Sequence, residues 1–299
     1  MVSRTIAIFA VMTALACSCS RTADMDDCGL AELDITVSTA EAGTKAIEKS
    51  TSFASGTAIG ISLQSGSGTY DGISYANVKS TASGSGASQT WANEKSILLS
   101  STSGTLYGYY PYSSTVTDVA NIPVTATSSS QTDYMYATAV SGLKNTNRSA
   151  SLTMKHALAG ISVTVKKGTY TGTGSVTSVG FASDGIGTGA ALNAKTGALS
   201  SVTGTGTSFT STTSFTLSAS GTAREFMVVP AGTSKTITFT VIVDGITYRV
   251  TTAATDLPEG KITSYTLTVN AEGMTLSSVS ITAWTTGAAA DGALTLKPV

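Results

Sequence analysis

Apolar residues alternate with Thr or Ser through most of this chain. The pattern runs through Leu33-Asp34-Ile35-Thr36-Val37, Ile59-Gly60-Ile61-Ser62-Leu63 and Ile161-Ser162-Val163-Thr164-Val165, and returns in Ile237-Thr238-Phe239-Thr240-Val241, Tyr248-Arg249-Val250-Thr251 and Tyr265-Thr266-Leu267-Thr268-Val269. A period of two puts successive side chains on opposite faces, the mark of a strand with one face buried and one hydrated. Turn residues punctuate it at Ser65-Gly66-Ser67-Gly68, Asp184-Gly185 and Pro258-Glu259-Gly260. Asp244-Gly245 separates two such runs by two residues, a strong hairpin signal. No window sustains a helical period. The chain is therefore expected to be all-β, built of antiparallel strands. Only 12% of its residues are charged, and Ser and Thr together number 95 of 299. Hydroxyls thus wet the outer faces where an average protein uses about 25% charged residues. The tracts 80–88 and 168–175 read as flexible loops. The polar break Lys144-Asn145-Thr146-Asn147-Arg148-Ser149 divides the chain into expected β-domains at 46–148 and 149–299.

Composition also excludes functions. A net charge of −1 gives no basic excess, so no nucleic-acid partner is expected. The single histidine, His156, has no Gly-x-Ser-x-Gly elbow to serve and is expected to be a structural residue at a strand end. No EF-hand or phosphate-cradling motif occurs. No cofactor, metal site, catalytic residue or enzymatic activity is expected.

Residues 1–16 carry one charge, Arg4, then an apolar run of about a dozen, too short for a membrane span and laid out like a signal peptide. Cys17 follows Leu15-Ala16 and resembles the acylated cysteine of a bacterial lipoprotein, with Cys19 as the alternative. Cys28 is the only other cysteine, so disulfides cannot staple the domains. No other segment approaches 20 apolar residues, so any membrane attachment is expected through acyl lipid, which the lipoprotein resemblance implies to be in the outer membrane, at the cell surface. An acidic stretch, Asp24 to Asp34, follows the cysteines as part of a tether spanning 17–45.

Tyrosine is concentrated in Leu106-Tyr107-Gly108-Tyr109-Tyr110-Pro111-Tyr112 and again in Asp133-Tyr134-Met135-Tyr136-Ala137. Tyr rings stack on sugars, which makes Tyr109 and Tyr112 possible glycan contacts. A core strand filled by Tyr accounts for the same residues, and core is the favoured reading.

These segments, in order, resemble the Bacteroidales fimbrillin family, the pilins of type V pili and their relatives. The resemblance is carried by the cysteine start, Gly43-Thr44-Lys45-Ala46 and the two tyrosine segments. It continues through Met154-Lys155-His156-Ala157-Leu158-Ala159-Gly160 and Val228-Val229-Pro230-Ala231-Gly232, then Leu257-Pro258-Glu259-Gly260-Lys261 and Ile281-Thr282-Ala283-Trp284. It implies two transthyretin-like antiparallel β-sandwich domains and a lipidated precursor whose first strand is cut away by a protease. A strand of the next subunit then fills the groove. Here the removable strand would be the segment carrying Leu33, Ile35 and Val37, with cleavage after Lys45 or Lys49. The family's Arg is Lys at position 45. The donor strand would carry Leu294 and Leu296, or alternatively Leu276, Val279 and Ile281. The implied protein is a structural or adhesive fimbrial (pilus) subunit that mediates cell adhesion. Its partners would be other pilus subunits, outer-membrane lipid and a host or bacterial surface receptor. The alternative is a surface lipoprotein that binds glycan and does not polymerise.

Charge partitions with this scheme. Seven of the 18 acidic residues lie between Asp24 and Glu48, while residues 50–299 hold 13 Lys and Arg against 11 Asp and Glu. Removing the tether would turn a slightly acidic chain into a slightly basic one.

Overall fold

The alternating segments pair as strands, and no α-helix occurs among the described residues. The computed structural model describes residues 29–39, 53–66, 68–84, 88–232, 235–283 and 294–295. The N-terminal half opens with β1 (Ala31–Glu32), β2 (Asp34–Thr39), β3 (Ala58–Gln64), β4 (Tyr75–Ser83) and β5 (Thr90–Asn93). It continues with β6 (Leu98–Leu99), β7 (Gly104–Tyr110), β8 (Ile122–Thr125), β9 (Met135–Ala137), β10 (Val140–Leu143) and β11 (Ser149–His156). Its main sheet runs β2-β11-β9-β7-β3-β4-β5, with β10 also on β7. β1 and β6 form a separate two-stranded ladder. Ile59, Ile61, Leu63, Leu106, Leu152 and Met154 fill the core between them.

The C-terminal half begins with β12 (Ala159–Lys167), β13 (Ser175–Ala182), β14 (Ile186–Gly187), β15 (Gly189–Leu192), β16 (Leu199–Thr203), β17 (Phe209–Ser211) and β18 (Phe215–Thr216). It ends with β19 (Thr222–Pro230), β20 (Thr238–Val243), β21 (Ile246–Thr251), β22 (Lys261–Asn270), β23 (Gly273–Ala283) and β24 (Leu294–Thr295). One sheet runs β14-β19-β12-β22-β23-β24 and the other β17-β13-β20-β21, with β18 also on β13. Between them Phe181 stacks on Phe209 at 5.4 Å and meets Phe226 edge-on at 5.0 Å. Asp244-Gly245 makes the expected two-residue turn between β20 and β21. Both residues have positive φ, 48° and 80°, as a primed hairpin turn requires.

The halves share a third core. Tyr109, Ile122, Val124, Leu158, Met227 and Ile262 belong to it. β15 pairs with β8 across the junction, and Gln131 reaches Met227, accepting from its backbone N–H.

Three details differ from the sequence expectation. Ser80–Ser83 belongs to β4 rather than to a loop, because Ser80 and Ala82 take the inward phase and are buried. The strand Ser149–His156, assigned by sequence to the second half, pairs with β2 and β9, so sheet membership changes at Ala157-Leu158. Pairing is also not wholly antiparallel. β2 lies parallel to β11 and β12 lies parallel to β22, so in each half an early strand lies beside a late one.

Candidate strand-exchange site

The segment 31–39 is a single extended run that serves two sheets. Ala31 and Glu32 pair antiparallel with β6, and the Leu33 N–H donates to Ile97 O at 2.9 Å. From Asp34 onward the chain pairs parallel with β11 along its whole length, with the Asp34 N–H donating to Arg148 O at 3.0 Å. The alternation seen in the sequence sets the faces. Leu33 and Ile35 are 4% and 5% exposed and Val37 packs against the same core, while Glu32, Asp34, Thr36 and Ser38 face out. Burying two such side chains contributes about 1.5–3 kcal/mol each. Side-chain hydrogen bonds supplement the ladders: Thr36 Oγ1 donates to Ser151 Oγ at 3.0 Å, and Asn145 Nδ2 to Gly29 O at 2.7 Å.

β2 forms one end of the main sheet and β5 the other. The two edges approach across a cleft of about 450 Å³ lined by Glu32, Leu33, Asp34, Trp91, Ala92, Asn93 and Arg148. Withdrawing 31–39 would therefore bare one edge of β11 and one of β6, and uncover core positions between them. Lys45, Lys49, Cys17 and Cys19 lie outside the described residues.

The two proposed donor segments differ in how they are held. β23 pairs with β22 from Lys261↔Ala283 to Asn270↔Gly273; Leu276 is 2% exposed, Val279 packs on the core and Ile281 is exposed. Among the described residues β24 pairs with β23 at two positions, Thr275↔Thr295 and Leu276↔Leu294, at the end of the sheet. Leu296 lies outside the described residues.

Tyr109 is not a sugar contact. Its ring is fully buried over Gly60, its register partner, where an added Cβ would lie 2.1 Å from the ring. Its hydroxyl donates to Asn77 Oδ1 at 2.6 Å and accepts from the Ser113 N–H at 3.2 Å. Burial raises its pKa above the usual 10.0. The ring has no free face because period two turns it into the junction core. Tyr112 is half-buried, with Lys79 Nζ 5.7 Å from its ring centroid.

Sequence reading missed one buried polar pair. His156 ends β11, and its Nδ1 lies 2.8 Å and 3.0 Å from the two carboxylate oxygens of Asp133. Burial pushes the Asp133 carboxyl above its usual pKa, against the pull of the His156 hydrogen bond. The available signal was phase: His156 shares the inward positions of Ala150, Leu152 and Met154, and an inward His needs a polar partner. Among the described residues no group of three or more His, Cys, Asp or Glu side chains could hold a metal ion.

The sequence model of the fimbrillin-like family matches residues 44–284. The chain belongs to the fimbrillin-like family. No curated protein matches it. Solved structures share its fold. A candidate cell adhesion protein from Bacteroides ovatus superposes with a TM-score of 0.67 at 18% identity, covering 86% of this chain and 99% of its own. A candidate cell adhesion protein from Bacteroides uniformis gives 0.64 at 25% identity, over 86% of this chain and 100% of its own. A fimbrial protein from Bacteroides vulgatus gives 0.55 at 15% identity, over 85% and 99%. The fimbrillin-like match begins at residue 44, after the last residue of β2.

Proposed function

We propose that this fimbrillin-like protein is a non-enzymatic adhesive subunit of a surface fimbria, assembled by exchange of its first strand for a strand of another subunit. The chain is exported as an outer-membrane lipoprotein acylated at Cys17 or Cys19. A protease then cuts after Lys45 or Lys49 and releases the strand carrying Leu33, Ile35 and Val37. The observation that carries this reading is the position of 31–39, an alternating apolar strand at a sheet edge, with Leu33 and Ile35 buried in the core and backbone ladders to β6 and then to β11. Those are the interactions one extended strand can return when another leaves, since ladders supply affinity and alternate side chains fill the pockets. The family membership and the adhesion and fimbrial proteins of the same fold support the setting.

Of the two donor segments, the one carrying Leu294 and Leu296 is favoured over Leu276, Val279 and Ile281. Its described part is tied at two positions, whereas freeing β23 would break a ladder with β22 and expose Leu276. The test is digestion of the purified full chain with a lysine-specific protease, followed by electrophoresis without heating. A ladder of oligomers is expected from the cut chain only. A cut chain that stays monomeric would leave the non-polymerising surface lipoprotein as the better reading.

A further inference from the structure

Buried polar side-chain atoms without hydrogen-bond partners are rare and costly in native proteins. Among the described residues, four of them gather at one corner of the N-terminal half: Ser80 Oγ on β4, Gln89 Oε1 just before β5, and Trp91 Nε1 and Asn93 Oδ1 on β5. Ser80 and Asn93 are opposite each other across the β4–β5 ladder, and Trp91 lies two residues back on the same face as Asn93. Trp91 and Asn93 line the cleft that Leu33 and Asp34 close from the other side. Leu33 brings only methyl groups to it. At position 33 the resident strand therefore offers no hydrogen bond to that wall, where Trp91 Nε1 and Asn93 Oδ1 have no partner.

Resting on the strand-exchange reading above, we propose that the incoming strand of a second copy of this chain presents a hydrogen-bonding side chain where Leu33 now sits, and that Trp91 and Asn93 select it. The chemistry narrows the side chain. Indole Nε1–H can only donate and the Asn93 Oδ1 can only accept, so one group that both accepts and donates answers both atoms. A hydroxyl does this, and an amide does too. Both donor segments named above carry hydroxyls, Thr295 in one and Ser277, Ser278 and Ser280 in the other. The same contrast gives exchange a direction. The resident strand leaves the polar corner unsatisfied, and its replacement satisfies it, so the replacement is favoured although both offer apolar side chains and a backbone ladder.

Two arms test this on the full chain. In the uncut protein, Leu33→Thr is compared with Leu33→Val, which has the same shape without the hydroxyl. The Thr variant is expected to melt several degrees higher. In an ordinary apolar pocket the order reverses, and a higher midpoint for the Val variant would overturn the proposal. In the second arm, Asn93→Leu is cut with the lysine-specific protease and its oligomer yield compared with wild type. A several-fold loss is expected, and wild-type yield would overturn the selective role of Asn93. A wild-type chain that forms no ladder at all would instead remove the strand-exchange reading and the incoming strand with it. The Thr and Val comparison would still decide whether the corner takes a hydroxyl.

Discussion

Asp133 and His156 show at single-residue scale how a chain with few charges uses one in its interior. The folded state holds the Asp133 proton more tightly than the unfolded chain does, because burial raises the carboxyl above 3.8. The stability that follows is fully present below that value and is lost as pH rises through the higher folded pKa. Asp133→Asn keeps a neutral hydrogen-bonding partner for His156 and should flatten this part of the pH dependence, read as urea midpoints between about pH 4 and pH 7. Asp133→Ala removes the partner and should cost about 1–3 kcal/mol. Tyr109 offers a second residue-level check. Gly60→Ala would drive a Cβ into its ring, 2.1 Å from Cε1, and should destabilise by about 1–3 kcal/mol through overpacking. Chemical denaturation measures both.

At the scale of elements, the hairpin β20–β21 and the loop before β13 are joined by one side chain. Asp244 accepts from the Tyr170 hydroxyl at 2.7 Å and from the Gly174 and Ser175 N–H groups at 2.8 Å. These bonds, led by that of Gly174, hold its carboxyl below 3.8, while Asp244 pushes the Tyr170 hydroxyl up to about 12. The sign is opposite to that of Asp133. The Asp244 contribution is present above 3.8 and lost as pH falls through the lower folded value. Asp244→Ala should lower the melting midpoint at neutral pH and lose its effect in acid, as a pair of thermal melts would show. The Asp-Gly turn was legible because two residues set that hairpin by local backbone geometry alone. The parallel partnership of β2 with β11 was not, since period two fixes which face is buried but says nothing about which distant edge the strand joins. Leu98–Leu99 was missed for a related reason: two residues are too few to show any period.

The described residues form two all-β halves sharing a junction core, with an N-terminal strand seated at the edge of one half and the short strand β24 at the edge of the other. The apolar alternation of Leu33, Ile35 and Val37 marked the first of these in the sequence, and burial of Leu33 and Ile35 agrees with it. Tyr109 was ambiguous because a tyrosine in a strand reads alike whether its face meets a partner or a core; only the packing of the two halves decides, and it hides the ring. Ile35→Ala should weaken the seating of the first strand by about 2 kcal/mol. Hydrogen exchange of the uncut chain should then show faster exchange along β2 and β11 than along β22. The central claim is that subunits in the assembled fimbria have given up residues 31–39. Mass spectrometry of the N-termini of subunits taken from native fimbriae tests it most directly. Chains beginning at Ala46 or Ser50 are expected, and polymerised subunits that retain Leu33, Ile35 and Val37 would contradict the account.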